Sequence, residues 1–98
     1  MKSLDEIRAD LRLIREYYKL KRTMKKPFRI IGFGNYEEMT ERYIAIAKTA
    51  PKRLSLVFEE LYLNDKKQLA LSIECRVTEK YIQILNKRLL VFLQSHWD

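Results

Sequence analysis

Only two glycines and two prolines interrupt the 98 residues of this chain, and no other feature constrains the fold as much. Hairpins and tight reversals need residues that tolerate a positive φ or pre-set a turn. A chain this poor in both is committed to long helices joined by short loops. The expectation is an all-α fold of about five helices. Hydrophobic residues make up 47% and charged residues 34%, enough for one modest core, so residues 1–98 are read as a single helical domain.

The apolar spacing divides the chain. Ser3-x-x-Glu6 has the spacing of a capping box, in which each side chain satisfies an orphan amide at a helix start. Leu4, Ile7, Leu11, Ile14 and Tyr18 follow at intervals of three and four, predicting an amphipathic helix within residues 1–26 that runs to about Met24. Its opposite face carries Arg8, Arg12, Arg15, Lys19 and Arg22. The stripe suits packing against the rest of the domain and also a coiled-coil seam between two copies. Pro27 ends this helix. Phe28 to Phe33 is apolar but too short for a sheet, and is read as an extended linker whose aromatics tuck into the core.

Asn35-x-x-Glu38 is a second capping box, opening a helix with Met39, Tyr43, Ile46, Ala47 and Ala50 on one face. Pro51 is expected as the first residue of the next helix, which runs to about Leu63 and buries Leu54, Val57, Phe58 and Leu61. Asn64-Asp65 is a turn and cap signal. A short helix to about Glu74, a turn, and a last helix capped by Thr78 and reaching about Ser95 complete the chain.

The formal net charge is +7, and it is unevenly spread. Residues 1–31 hold ten Lys/Arg against four Asp/Glu, whereas residues 65–98 hold six against four. Such a balance favours a polyanion, either nucleic acid or an anionic membrane surface. The start of the chain has no apolar run and no stretch has the length of a membrane span, so the expectation is a cytoplasmic protein without a membrane partner.

Residues 68–87 fit the helix-turn-helix template. The motif needs apolar residues at its fourth, eighth, tenth, fifteenth and eighteenth positions, so that two short helices lock at a steep angle. Leu71, Cys75, Val77, Ile82 and Leu85 occupy them, and all five are expected in the core. The close-approach fifth position is the small Ser72, and Thr78 can cap the second helix. The ninth position, usually glycine because the turn needs a left-handed backbone, is Arg76. Two ordinary amphipathic helices with a tight turn would give much of the same pattern. The small fifth residue, the Val-Thr pair and the basic charge favour DNA.

On that reading the second helix lies in the major groove of double-stranded DNA. Glu79, Lys80, Gln83 and Lys87 point away from the core toward base edges. Lys66, Lys67, Arg76 and Arg88 contact phosphates. For each residue the alternative is a solvated side chain. The cluster Lys19, Lys21, Arg22, Lys25, Lys26 and Arg29 is a second candidate surface, either a longer phosphate footprint or the wet face of the first helix.

The C-terminal half resembles a known group. The runs Ala50-Pro-Lys-Arg-Leu, Leu61-Tyr-Leu-Asn, Gln68-Leu-Ala-Leu and Thr78-Glu-Lys-Tyr-Ile-Gln-Ile-Leu-Asn-Lys-Arg-Leu-Leu-Val-Phe-Leu-Gln94 are similar to small phage and prophage proteins of Gram-positive bacteria. These are the ArpU and RinA type late transcriptional regulators, themselves similar to the fourth region of sigma factors. The resemblance spans about residues 40–94. It implies phage or prophage transcription regulation in a bacterial host cell, with residues 36–98 as a sigma-region-four-like unit and the helix starting at Glu79 as DNA reader. It further implies RNA polymerase as a partner. Pairing of half-sites by such motifs makes a homodimer the expected form.

The residue types for other chemistry are sparse. The lone His96 is expected to fray near the end of the chain, and it has no Cys or second His close by in sequence to form a triad or metal site. Cys75 excludes an internal disulfide and is read as a core residue rather than a nucleophile. Glu37, Glu38, Glu41, Glu59 and Glu60 are read as solvated, and Gly32-x-Gly34 is no phosphate loop. No enzyme activity, cofactor or metal is expected. The second functional class is a protein-interaction module that binds RNA polymerase or a host protein, with Tyr17, Tyr18, Tyr36 and Tyr62 as candidate anchors.

Overall fold

The computed structural model describes residues 2–23 and 34–97, and within them the chain is all-helical. Helix α1 spans Leu4–Thr23, α2 Gly34–Lys48, α3 Lys52–Phe58, α4 Gln68–Cys75 and α5 Glu79–Ser95. Helix α3 continues without a break into a π-helical turn, Glu59–Leu63. The expected linker Phe28 to Phe33 lies outside the described residues.

Local chemistry accounts for most of the boundaries. The Ser3 Oγ accepts from the Glu6 amide at 3.1 Å while the Glu6 carboxylate accepts from the Ser3 amide at 3.2 Å, so the first capping box is formed as spaced. Of the second expected box, Asn35 stands inside α2, which begins at Gly34, rather than ahead of it. Pro51 is the N-cap of α3 (φ −51°, ψ 145°) rather than its first helical residue. There it still costs no amide, and its carbonyl accepts the first helical bonds from Leu54 and Ser55. Asp65 takes up a positive φ of 55° in the turn after α3. The N-cap of α4 is Lys67, with no side-chain bond, so Asn64-Asp65 makes the turn but not the cap.

Helix α5 is the hub, packing against each of the other four helices. Its Ile82, Leu85, Leu89, Leu90 and Leu93 are buried together with Ile7, Leu11 and Ile14 of α1 and with Tyr43 and Ala47 of α2. Leu54, Val57, Phe58, Leu61 and Tyr62 of the long third helix and Leu71 of α4 complete this core. Burial of a leucine or isoleucine side chain stabilises by roughly 1.5–3 kcal/mol, so these residues dominate the fold's stability.

The basic face of α1 is partly structural. Arg15 Nε donates to the Leu61 carbonyl at 3.1 Å, and Arg15 also pairs with Asp65 at 3.5 Å and lies over the Tyr62 ring. Arg22 donates to the Leu63 carbonyl. Both close carbonyls at the end of the third helix, where partial negative charge accumulates.

Residues 94–97 are tied down rather than frayed. Gln94 donates to the Lys2 carbonyl, and the Trp97 ring packs on Tyr43 with 4.4 Å between centroids while Lys2 and Arg42 lie against its faces. His96 caps α5 and stacks on Phe92. The aromatic and cationic contacts of Trp97 bring order that a terminal position alone would not suggest.

Candidate nucleic-acid interface

Helices α4 and α5 are joined by three residues, Arg76, Val77 and Thr78. Arg76 adopts φ 55°, ψ 42°, the left-handed conformation that favours glycine, at the position where the spacing called for it. Its amide donates to Ile73 and that of Val77 to Ser72, closing the C-terminus of α4. Thr78 caps α5, its Oγ1 accepting from the Tyr81 amide at 3.1 Å. Ser72 is buried, its hydroxyl donating to the Leu69 carbonyl.

Of the five apolar residues expected in the core, Leu71, Ile82 and Leu85 are buried. Cys75 and Val77 are not. Cys75 is exposed and Val77 retains 37% of its surface. The left-handed turn at Arg76 carries the chain out just where α4 ends, and no part of α3 closes over it. The result is an open groove of about 580 Å³ between α3 and the two helices, lined by Leu56, Val57, Cys75, Val77 and Tyr81 among others. Leu69 and Ile73, one turn apart on α4, are exposed at 56% and 69%.

Helix α5 divides its surface cleanly. Lys80, Gln83 and Lys87 are exposed and share one face with the half-exposed Ile84, following the i, i+3, i+4, i+7 spacing of a helical stripe. Glu79 is exposed in the first turn, where a carboxylate opposes the positive end of the helix. The four expected base-contacting residues therefore lie together on the solvent side of α5.

The four expected phosphate contacts are dispersed. Lys66 is bridged by Glu60 at 2.7 Å and Glu74 at 2.6 Å, which hold its ammonium well above the ordinary lysine range and neutralise its charge. Glu60 is thus a half-buried ion-pair partner, not a solvated carboxylate. Lys67 and Arg76 are exposed at the two ends of α4, and Arg88 is exposed on the flank of α5 beside Lys52 and Arg53 of α3. Arg53 donates to the Tyr81 hydroxyl at 2.6 Å.

The second basic surface also differs from a uniform wet face. Arg22 is committed to Leu63, and Lys21 lies over the Tyr17 and Tyr18 rings, while Lys19 is exposed. Lys25, Lys26 and Arg29 lie outside the described residues. Tyr62 is a core residue whose hydroxyl donates to Asn86 Oδ1 at 2.5 Å, and Tyr17 is buried too, so neither serves as an anchor. Tyr18 is half-buried, and the Tyr36 side chain lies outside the description.

A feature not drawn out from the sequence is a polar cleft of about 200 Å³ between α1 and α5, lined by Arg8, Arg12, Arg15, Tyr62 and Asn86. The i, i+4, i+7 spacing of the three arginines was its only signal.

Among the described residues no group of three or more His, Cys, Asp or Glu could hold a metal ion, and no helix is long and apolar enough to cross a membrane. Compared with protein families, curated proteins and solved structures, the chain has no match.

Proposed function

We propose that this chain is a DNA-binding transcriptional regulator of a phage or prophage, reading double-stranded DNA with the helix that starts at Glu79. The observation that carries the proposal is the division of α5, which buries one face in the core and offers Lys80, Gln83 and Lys87 on the other. A lysine can donate to guanine, a glutamine can pair with adenine, and Glu79 can accept from a cytosine amino group. The three-residue turn, its left-handed Arg76 and the Thr78 cap fit a helix-turn-helix presentation of that face. The net charge of +7 supplies the electrostatic attraction.

The phage setting, action in the cytoplasm of a bacterial host cell and a role for RNA polymerase rest on the resemblance of residues 40–94 to late regulators. A homodimer reading paired half-sites is part of the same proposal. The chain acts by binding, without an enzymatic step.

One observation favours a second reading. The open groove along Leu56, Cys75 and Val77, with Leu69 and Ile73 exposed beside it, suits an apolar protein surface. In that reading the two-helix unit is a scaffold for RNA polymerase or a host protein. A gel shift with genomic DNA fragments at two salt concentrations separates them. Retention that weakens steeply with salt supports the DNA reader; absence of salt-sensitive retention favours the interaction module.

A further inference from the structure

The cleft between α1 and α5 is built from donors. Arg8, Arg12 and Arg15 recur at i, i+4 and i+7 on α1, so their guanidinium groups rise along one face over roughly 10 Å of helix. Arg15 forms the floor, half-buried and fixed by the Leu61 carbonyl and Asp65. Arg8 has only a long, exposed contact of 3.5 Å with Asp5. Arg12 is exposed and has no ion-pair partner among the described residues.

Across from them, the Tyr62 hydroxyl donates to Asn86 Oδ1. Burial holds the phenol in its neutral, proton-bearing form against the lowering effects of the Asn86 contact and of the Arg15 and Arg8 charges. The carboxamide oxygen is thereby used, and the Asn86 Nδ2 hydrogens are left for a ligand. No carboxylate lines the cleft, which disfavours a cation. Two available guanidinium forks and an amide offer more donors than a carboxylate's two oxygens can take up, but match the several oxygens of a phosphate.

We propose that this cleft is a phosphate-binding site, and that it seats one backbone phosphate of the duplex whose groove α5 enters. The second half rests on the reading of α5 given above. Asn86 is three residues from Gln83 and adjacent to Lys87 on α5, so a phosphate held there lies alongside the face offered to bases. The duplex flanks a helix in its major groove with phosphates. On the other flank of α5 stand Arg88, Lys52 and Arg53.

The test uses the full chain. Titration with inorganic phosphate at constant ionic strength, followed by NMR, gives saturable shifts of the Asn86 Nδ2 and the Arg8 and Arg12 Nε signals. Arg12→Gln abolishes them. Absence of those shifts in the unsubstituted chain overturns the phosphate site. With duplex DNA, Arg12→Gln lowers affinity about tenfold on two unrelated sequences alike and reduces the salt slope by about one. Asn86→Asp, which keeps an acceptor for Tyr62 but removes the donor, does the same. If the chain binds duplex and neither substitution changes affinity or slope, the cleft does not seat a DNA phosphate. If the chain binds no duplex, the reading of α5 and the DNA half of the proposal fail together, while the phosphate titration still decides the cleft.

Discussion

Arg22, near the end of α1, donates from Nη1 to the Leu63 carbonyl at 2.6 Å, closing the end of the third helix from 41 residues earlier in the chain. With Arg15 on the Leu61 carbonyl, it converts part of the N-terminal positive charge from a free surface into a brace. The basic face is therefore divided between holding the fold and offering charge to a partner.

Arg15→Ala should be the costlier substitution. It removes a carbonyl bond, the pair with Asp65 and the stack on Tyr62 from a half-buried position, at about 1–3 kcal/mol. Arg22→Ala, at an exposed site, should cost about 0.5–1 kcal/mol. Urea unfolding of both, with Lys19→Ala as a near-neutral control, checks the order.

Stability should fall in alkali. Burial and the hydrogen bond to Asp10 raise the fully buried Tyr43 hydroxyl far above its ordinary value, and burial raises Tyr62 as well. The folded chain keeps these protons while the unfolded chain releases them near pH 10. Stability is therefore unaffected below that pH and lost above it, by roughly 1.4 kcal/mol per pH unit for each retained proton. Urea midpoints at pH 8 and 11 should differ less in Tyr43→Phe, which has no proton to lose there, than in the unsubstituted chain. Equal losses in both contradict the assignment.

Arg76→Gly should stabilise. A non-glycine residue at φ 55° carries a cost on the order of 1 kcal/mol, partly offset by the greater freedom of glycine in the unfolded chain. The net gain expected is about 0.5 kcal/mol, measured by thermal unfolding, and Arg76→Ala should give none.

Cys75 should react with a thiol reagent in the folded protein, one equivalent without denaturant, because it faces the open groove. Protection until unfolding would show that the groove is closed in solution.

The helices were readable because their signals are local. The Ser3–Glu6 capping box, the Thr78 cap and the stripes of α1 and α5 all act within a few residues. The need for a left-handed residue at Arg76 was readable too, although the residue type argued against it. Cys75 and Val77 were misplaced because template positions give the partner helix within the motif, not whether α3 covers the groove. Lys66 read as a free cation because Glu60 and Glu74, six and eight residues away, meet it only once the chain turns at Asp65. The order at Trp97 depends on Tyr43 and Lys2, which no local pattern connects to it.

The face of α5 is tested most directly by selecting duplexes from a random library with the unsubstituted chain. The affinity of the Lys80→Ala/Gln83→Ala variant is then measured for the selected site and for an unrelated sequence. Each good side-chain pairing with a base edge contributes about 1–3 kcal/mol of discrimination, so the variant should lose tenfold or more of its preference while its unfolding is unchanged. Undiminished preference for the selected site would contradict the assignment of α5 as the reading helix.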